Sequence, residues 1–235
     1  MSSDPRPVYE APSLFSNLRE FGTPLEFWRL PIAAGNLLQA PRGDNREIIL
    51  LPGFQSPEWA LEPLAVYLRR LGYNASTWGM GVNGGNVDTL TDRVGAQVQA
   101  RAARSGGPVT LIGWSLGGVI ARETARLFED DVREVITLGT PVVGGPKYTA
   151  VASLYALQPG FDLDAMEHEI HARNLKGVKQ PLTVIYSKSD GVVGWRAAID
   201  TYNAHARHVR VRSTHFGLGV NARVWRTIAD TLAVS

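Results

Sequence analysis

Gly113-Trp114-Ser115-Leu116-Gly117 sets one hydroxyl between two glycines where the sequence pattern changes. Val109-Thr110-Leu111-Ile112 before it is short, apolar and β-branched, the pattern of a buried strand. Gly118 to Phe128 after it carries apolar side chains at helical spacing. A serine on such a strand-to-helix turn takes a strained backbone conformation that exposes its Oγ. Side chains two positions to either side would collide there, so both positions favour glycine. The helix N-terminus adds positive potential where negative charge develops in acyl transfer.

A serine hydroxyl is a weak nucleophile at neutral pH and needs a base, oriented in turn by a carboxylate. Of the five histidines, His168 and His171 fall on a charged helical stretch, and His205 and His208 flank a polar strand start. His215 follows the apolar-alternating run His208 to Arg212 and lies in Ser213-Thr214-His215-Phe216-Gly217. That places it in a loop on the same sheet edge as Ser115, as the expected base. The carboxylate is expected at Asp190, which follows the strand pattern Pro181 to Tyr186 and precedes Gly191. Asp-Gly is also an ordinary turn signal, and Asp162, Asp164 and Asp200 are the weaker choices. An oxyanion needs two donors. The Leu116 amide is one, and Phe54 in Leu51-Pro52-Gly53-Phe54-Gln55 is the candidate for the other, with Gln55 second. Trp114, Met80, Phe216 and Val192 neighbour these positions and are the candidates for contact with substrate.

These residues must be positioned by a regular frame. From residue 46 the chain alternates strand and helix: strands at 47–51, 73–78, 109–112, 132–138, 181–186 and 208–212, and helices at 57–71, 87–103, 118–128, 195–200 and 221–233. Such alternation implies an α/β fold with a mostly parallel central sheet and helices on both faces. Residues 144–180 break the rhythm with helical patterns and no strand. An insert of this size over the strand ends would form a helical cap, and Val151, Leu154, Tyr155, Leu157, Phe161 and Met166 could line an acyl pocket. Residues 1–12 read as a loose tail. Leu14, Phe15, Leu18 and Phe21, then Phe27, Trp28, Leu30, Ile32, Leu37 and Leu38, make residues 1–45 an apolar helical extension. It either covers one side of the sheet or contacts lipid or a second subunit.

Composition narrows the classes. The 235 residues suit a single domain, and 44% hydrophobic with 20% charged residues is the balance of a globular protein. The net charge is +2, with arginines spread along the chain, so no nucleic-acid partner is expected. No cysteine is present, which excludes disulfides, thiolate metal sites and a cysteine nucleophile. Met1 to Pro7 is polar and proline-broken, unlike a secretory signal, so a cytoplasmic location is expected. No apolar run approaches the roughly 20 residues of a membrane span. Oligomeric state stays open between monomer and homodimer.

The chain resembles the α/β-hydrolase superfamily, and bacterial esterases and lipases with a cap in particular. The likeness rests on Pro52-Gly53-Phe54, Trp78 to Gly85, Gly113 to Gly118, Leu138-Gly139-Thr140-Pro141, Ser189 to Val193 and Thr214 to Leu218. The order Ser115, Asp190, His215 is that of the fold. Pro52 stands where many members carry histidine, and the two opening strands are not evident before residue 46. The resemblance implies a carboxylester hydrolase acting on a small-molecule or lipid ester through an acyl-enzyme, with no metal or organic cofactor. Thioesterase, amidase, lactonase or acyltransferase chemistry is the alternative with the same triad. A non-catalytic binding module on this fold is the reading from a different class.

Overall fold

The computed structural model describes residues 12, 18–150, 152 and 162–234. Leu14, Phe15, Val151, Leu154, Tyr155, Leu157 and Phe161 lie outside the described residues, as do the side chain of Leu18 and, residue 12 apart, the expected tail.

Branched aliphatic runs too short for helices form the strands β1 (Glu47–Leu51), β3 (Val109–Trp114), β4 (Val132–Leu138) and β5 (Leu182–Ser187). More polar runs form β2 (Asn74–Thr77) and β6 (Arg207–Val211), and these two take the sheet edges. The six-stranded order is β2-β1-β3-β4-β5-β6, and every pairing is parallel. All strands therefore end on one side of the sheet. The register sets Leu51 beside Gly113, Trp114 beside Leu138 and Ser187 beside Val211. The chain crosses over β1 between β2 and β3, so a crevice opens beyond the ends of β1 and β3.

The helices are α1 (Thr23–Trp28), α2 (Leu30–Leu38), α3 (Glu62–Leu71), α4 (Val87–Ser105), α5 (Leu116–Leu127), α6 (Leu163–Asn174) and α7 (Ala222–Leu232). Strand side chains alternate between the two faces. Ile48, Leu50, Ile112, Ile136 and Ile185 pack with Leu64 and Leu68 of α3 and Trp225 and Ile228 of α7. Ile49, Leu51, Leu111, Val135 and Val184 pack with Val94 and Val98 of α4 and Ile120 and Ala125 of α5. Each fully buried aliphatic side chain contributes about 1.5–3 kcal/mol. The sheet is held from both sides, which fixes the strand ends on which the loops stand.

Two expectations are corrected. Residues 195–200 form turns rather than a helix. Val193 bridges to Thr149, and the Asp200 carboxylate accepts the Tyr202 and Asn203 amides while pairing with Arg122, so tertiary bonds set this path. The helix expected at 57–71 opens as a 3-10 turn, Glu58–Leu61, and α3 restarts beside Pro63, whose missing N–H costs least in a first turn. Among the described residues of the front section, Leu30, Ala33, Leu37 and Ala40 pack on the core. Phe21, Leu25, Trp28 and Ile32 are exposed.

Candidate active site

Ser115 stands between β3 and α5 with φ 53° and ψ −123°, a positive φ that a non-glycine residue seldom adopts. Its neighbours explain why the turn persists. A Cβ on Gly113 would strike the backbone of Gly117 and Gly118, and one on Gly117 would strike the Leu51 carbonyl. The Ser115 amide donates to the Leu138 carbonyl at 2.8 Å, and the Thr140 hydroxyl donates to the Ser115 carbonyl at 3.0 Å. The strained turn is bonded to the end of β4 on both its amide and its carbonyl.

The expected acid and base meet. Nδ1 of His215 lies 2.8 Å from Oδ2 of Asp190, and the two residues are 2% and 7% exposed. The other Asp190 oxygen accepts the amides of Val192 at 2.9 Å and Val193 at 2.7 Å. With Nδ1–H donating to the carboxylate, Nε2 is left as the acceptor. The Ser187 hydroxyl donates to the Ser213 carbonyl at 2.6 Å and accepts the Ser189 and Ser213 amides, binding the end of β5 to the histidine loop. The Trp114 indole donates to the His215 carbonyl at 3.1 Å, with ring centroids 5.6 Å apart. Gly139, at φ 55°, lies under the pair: a Cβ there would sit 2.9 Å from Asp190 Oδ2 and 3.3 Å from His215 Nδ1.

The β1 loop comes close to the serine. A Cβ on Gly53 would lie 3.2 Å from Ser115 Cβ. Leu116 is the first residue of α5, where an amide has no intrahelical acceptor. Gln55, the second choice for the oxyanion donor, gives its amide to the Asn83 carbonyl at 2.9 Å, so it is not aimed at the serine. Buried Asn83 also donates from Nδ2 to the Pro52 carbonyl at 2.8 Å, bracing the loop that carries Phe54.

Among the described residues, Ser115, His215, Phe54 and Leu116 share one cleft of about 1240 Å³. Trp114, Phe216 and Val192 line it, and so do Val119, Met166 and Ile170. Met80 does not. It packs instead against the core cluster that holds Trp78 and Val94, because its loop turns away at Gly79 and Gly81, both at positive φ.

One end of the cleft is polar. Buried Arg122 of α5 pairs with Asp200 and donates to Asn174 Oδ1 at 3.2 Å. Burial pushes the Arg122 guanidinium below its ordinary value, against the pull of Asp200. Burial also opposes ionisation of Asp200, but the Arg122 charge and hydrogen bonds outweigh it and hold the carboxyl below the usual range. Asn174 also donates to the Val142 carbonyl at 2.7 Å, which ties the end of α6 to the body. Lys147 bonds Asp164 and Glu167, each at 2.6 Å, near the start of α6, and these carboxylates hold its ammonium above the ordinary range.

A family model for the alpha/beta hydrolase family matches residues 48–234. The chain belongs to that family. Several solved structures share this hydrolase fold. One comes from a study of LipS and LipT, two metagenome-derived lipolytic enzymes, and has a TM-score of 0.64 at 13% identity, covering 83% of this chain and 96% of that one. A lipase-esterase related protein from Clostridium acetobutylicum has a TM-score of 0.56 at 18% identity, with coverages of 81% and 96%. A thioesterase domain from the curacin biosynthetic pathway has a TM-score of 0.54 at 14% identity, with coverages of 83% and 91%. At such identities the likeness concerns the fold alone. No curated protein matches this hydrolase in sequence. No helix among its described residues is long and apolar enough to cross a membrane.

The sequence reading missed Asn83, Ser187, Glu20 and Glu26. Glu20 and Glu26 precede the sheet, yet their carboxylates bond the loops of Asp190 and His215. No local pattern marks a carboxylate that reaches another loop through the fold.

Proposed function

We propose that this hydrolase cleaves carboxylic esters with an apolar acyl group, through Ser115, His215 and Asp190. One observation carries the reading. Ser115, strained at φ 53°, opens onto the same cleft as a histidine whose Nδ1 lies 2.8 Å from a buried carboxylate. His215 Nε2 takes the Ser115 proton as Oγ attacks the ester carbonyl. The amides of Phe54 and Leu116 receive the oxyanion. His215 protonates the leaving alcohol, the acyl-enzyme forms, and water repeats the cycle to free the acid. Asp190 keeps the imidazole in the required tautomer and stabilises its charged form.

The mainly apolar cleft supports an acyl group larger than acetyl, since drug-sized ligands occupy roughly 300–1,000 Å³. Met166 and Ile170 give α6 the part of a cap over the acyl group. The thioesterase domain among the structural neighbours supports acyl transfer from sulfur as the second reading. The deciding assay is hydrolysis of p-nitrophenyl esters from acetate to palmitate by wild type and Ser115→Ala. Turnover lost only in the variant is expected. Equal turnover in both would overturn the triad, and faster cleavage of matched acyl thioesters would favour the second reading.

A further inference from the structure

Glu20 lies in the 3-10 turn Leu18–Gly22, and Glu26 in α1. Glu20 Oε1 accepts the Gly191 amide at 2.9 Å and the His215 amide at 2.8 Å. Its Oε2 accepts the Phe216 amide at 3.0 Å. Glu26 Oε1 accepts the Thr214 amide at 2.7 Å. Its Oε2 accepts the Ser213 hydroxyl at 2.6 Å and Asn221 Nδ2 at 2.5 Å. Thr23 and Thr214 join through their hydroxyls at 2.8 Å. A Cβ on Gly217 would run 2.5 Å from the Glu26 carboxylate, so the loop lies against it.

Three features separate this from ordinary helix docking. The donors are chiefly backbone amides of consecutive residues, Thr214, His215 and Phe216, so the path of the histidine loop is what is held. A single oxygen, Glu20 Oε1, receives the amide next to Asp190 and the amide of His215 itself. It therefore fixes the two loops relative to each other, not each to the body alone. Among the described residues neither glutamate forms an ion pair, so the carboxylates are satisfied by loop donors. Charge-assisted bonds of this kind are about twice as strong as neutral ones.

We propose that Glu20 is a positioning residue that keeps the His215 imidazole aligned with Asp190 and Ser115, with Glu26 securing the same loop on either side of the histidine. The segment before the sheet is then part of the catalytic machinery. This rests on the triad reading above. A misplacement of about 1 Å in such a group costs about 100-fold in rate.

The test compares wild type, Ser115→Ala, Glu20→Ala, Glu20→Gln and Glu26→Ala in the full chain. Steady-state ester hydrolysis is paired with amide hydrogen exchange over residues 190–193 and 213–217. Glu20→Ala is expected to lower kcat by about 10- to 100-fold with KM within about twofold. Glu20→Gln keeps an acceptor for the Gly191 and His215 amides but sets its NH₂ against the Phe216 amide, and is expected to recover part of the kcat lost in Glu20→Ala. Exchange at those two amides accelerates in Glu20→Ala and not in Glu20→Gln, and Glu26→Ala accelerates exchange at Thr214. An unchanged kcat in Glu20→Ala, with Ser115→Ala inactive, overturns the positioning role and leaves the triad standing. A kcat loss that follows a fall in melting temperature, unrelieved by Glu20→Gln, overturns it in favour of plain docking. If wild type shows no Ser115-dependent turnover, the triad reading fails and the exchange data decide alone: acceleration in Glu20→Ala upholds the loop restraint, and unchanged exchange removes it.

Discussion

Asp190 uses its two oxygens for different tasks. Oδ1 holds its own loop through the Val192 and Val193 amides, and Oδ2 faces His215. An asparagine in its place would keep the carbonyl oxygen on the loop amides and turn its NH₂ toward Nδ1. The imidazole would then carry its proton on Nε2, where it cannot act as a base. Asp190→Asn is expected to lower kcat by about 10⁴-fold with an unchanged circular dichroism spectrum. Survival of activity would assign the orienting carboxylate elsewhere. Gly139 makes a second prediction at this scale. Gly139→Ala places a methyl against the Asp190–His215 pair at a positive φ. We expect a stability loss of about 1–2 kcal/mol in urea unfolding together with a fall in kcat, the latter because the pair must shift.

At the scale of elements, α5 and α6 are joined to the turn at residues 195–200 by the buried Arg122, Asn174 and Asp200 group. Asp200→Asn leaves the guanidinium uncompensated and is expected to cost about 3–5 kcal/mol at pH 7. The pH dependence follows from the depressed Asp200 pKa. A carboxyl whose folded pKa lies below its unfolded value of about 3.9 stabilises the fold above that value. The contribution is lost as pH falls through the lower folded value. Thermal melts of wild type and Asp200→Asn from pH 7 to pH 2 should therefore differ most at neutral pH and converge below about pH 4. A constant difference across that range would mean that the Asp200 pKa is the same in the folded and the unfolded chain.

Across the whole molecule, the parallel sheet delivers every loop of the site to one edge, and the crossover beside β1 opens the cleft there. The front section then closes back over that edge, since Glu20, Thr23 and Phe27 line the same cleft as Ser115. Met166 lines it from α6, outside the reacting groups. Filling this space with Met166→Trp is expected to lower kcat/KM on palmitate by about 10-fold or more while leaving acetate near wild type. A uniform change across chain lengths would place the acyl group elsewhere in the cleft.

The sequence by itself determined the frame and the candidate site residues. Short branched apolar runs in β1, β3, β4 and β5, helical spacing in α4, α5 and α7, and the glycines around Ser115 are local patterns, legible without a fold. The order Ser115, Asp190, His215 after β3, β5 and β6 needed only the alternation of strand and helix. What the tertiary structure decided depends on residues far apart in the chain. Glu20 and Glu26 bond partners 171 to 196 positions away, and Asn83 braces Pro52 from 31 positions away. The path of residues 195–200 is set by Arg122 and Thr149, and Met80 packs against the core cluster of Trp78 rather than lining the cleft. Each is a contact between segments, and its energy exists only once the sheet has brought those segments together, so no window of the sequence contains it.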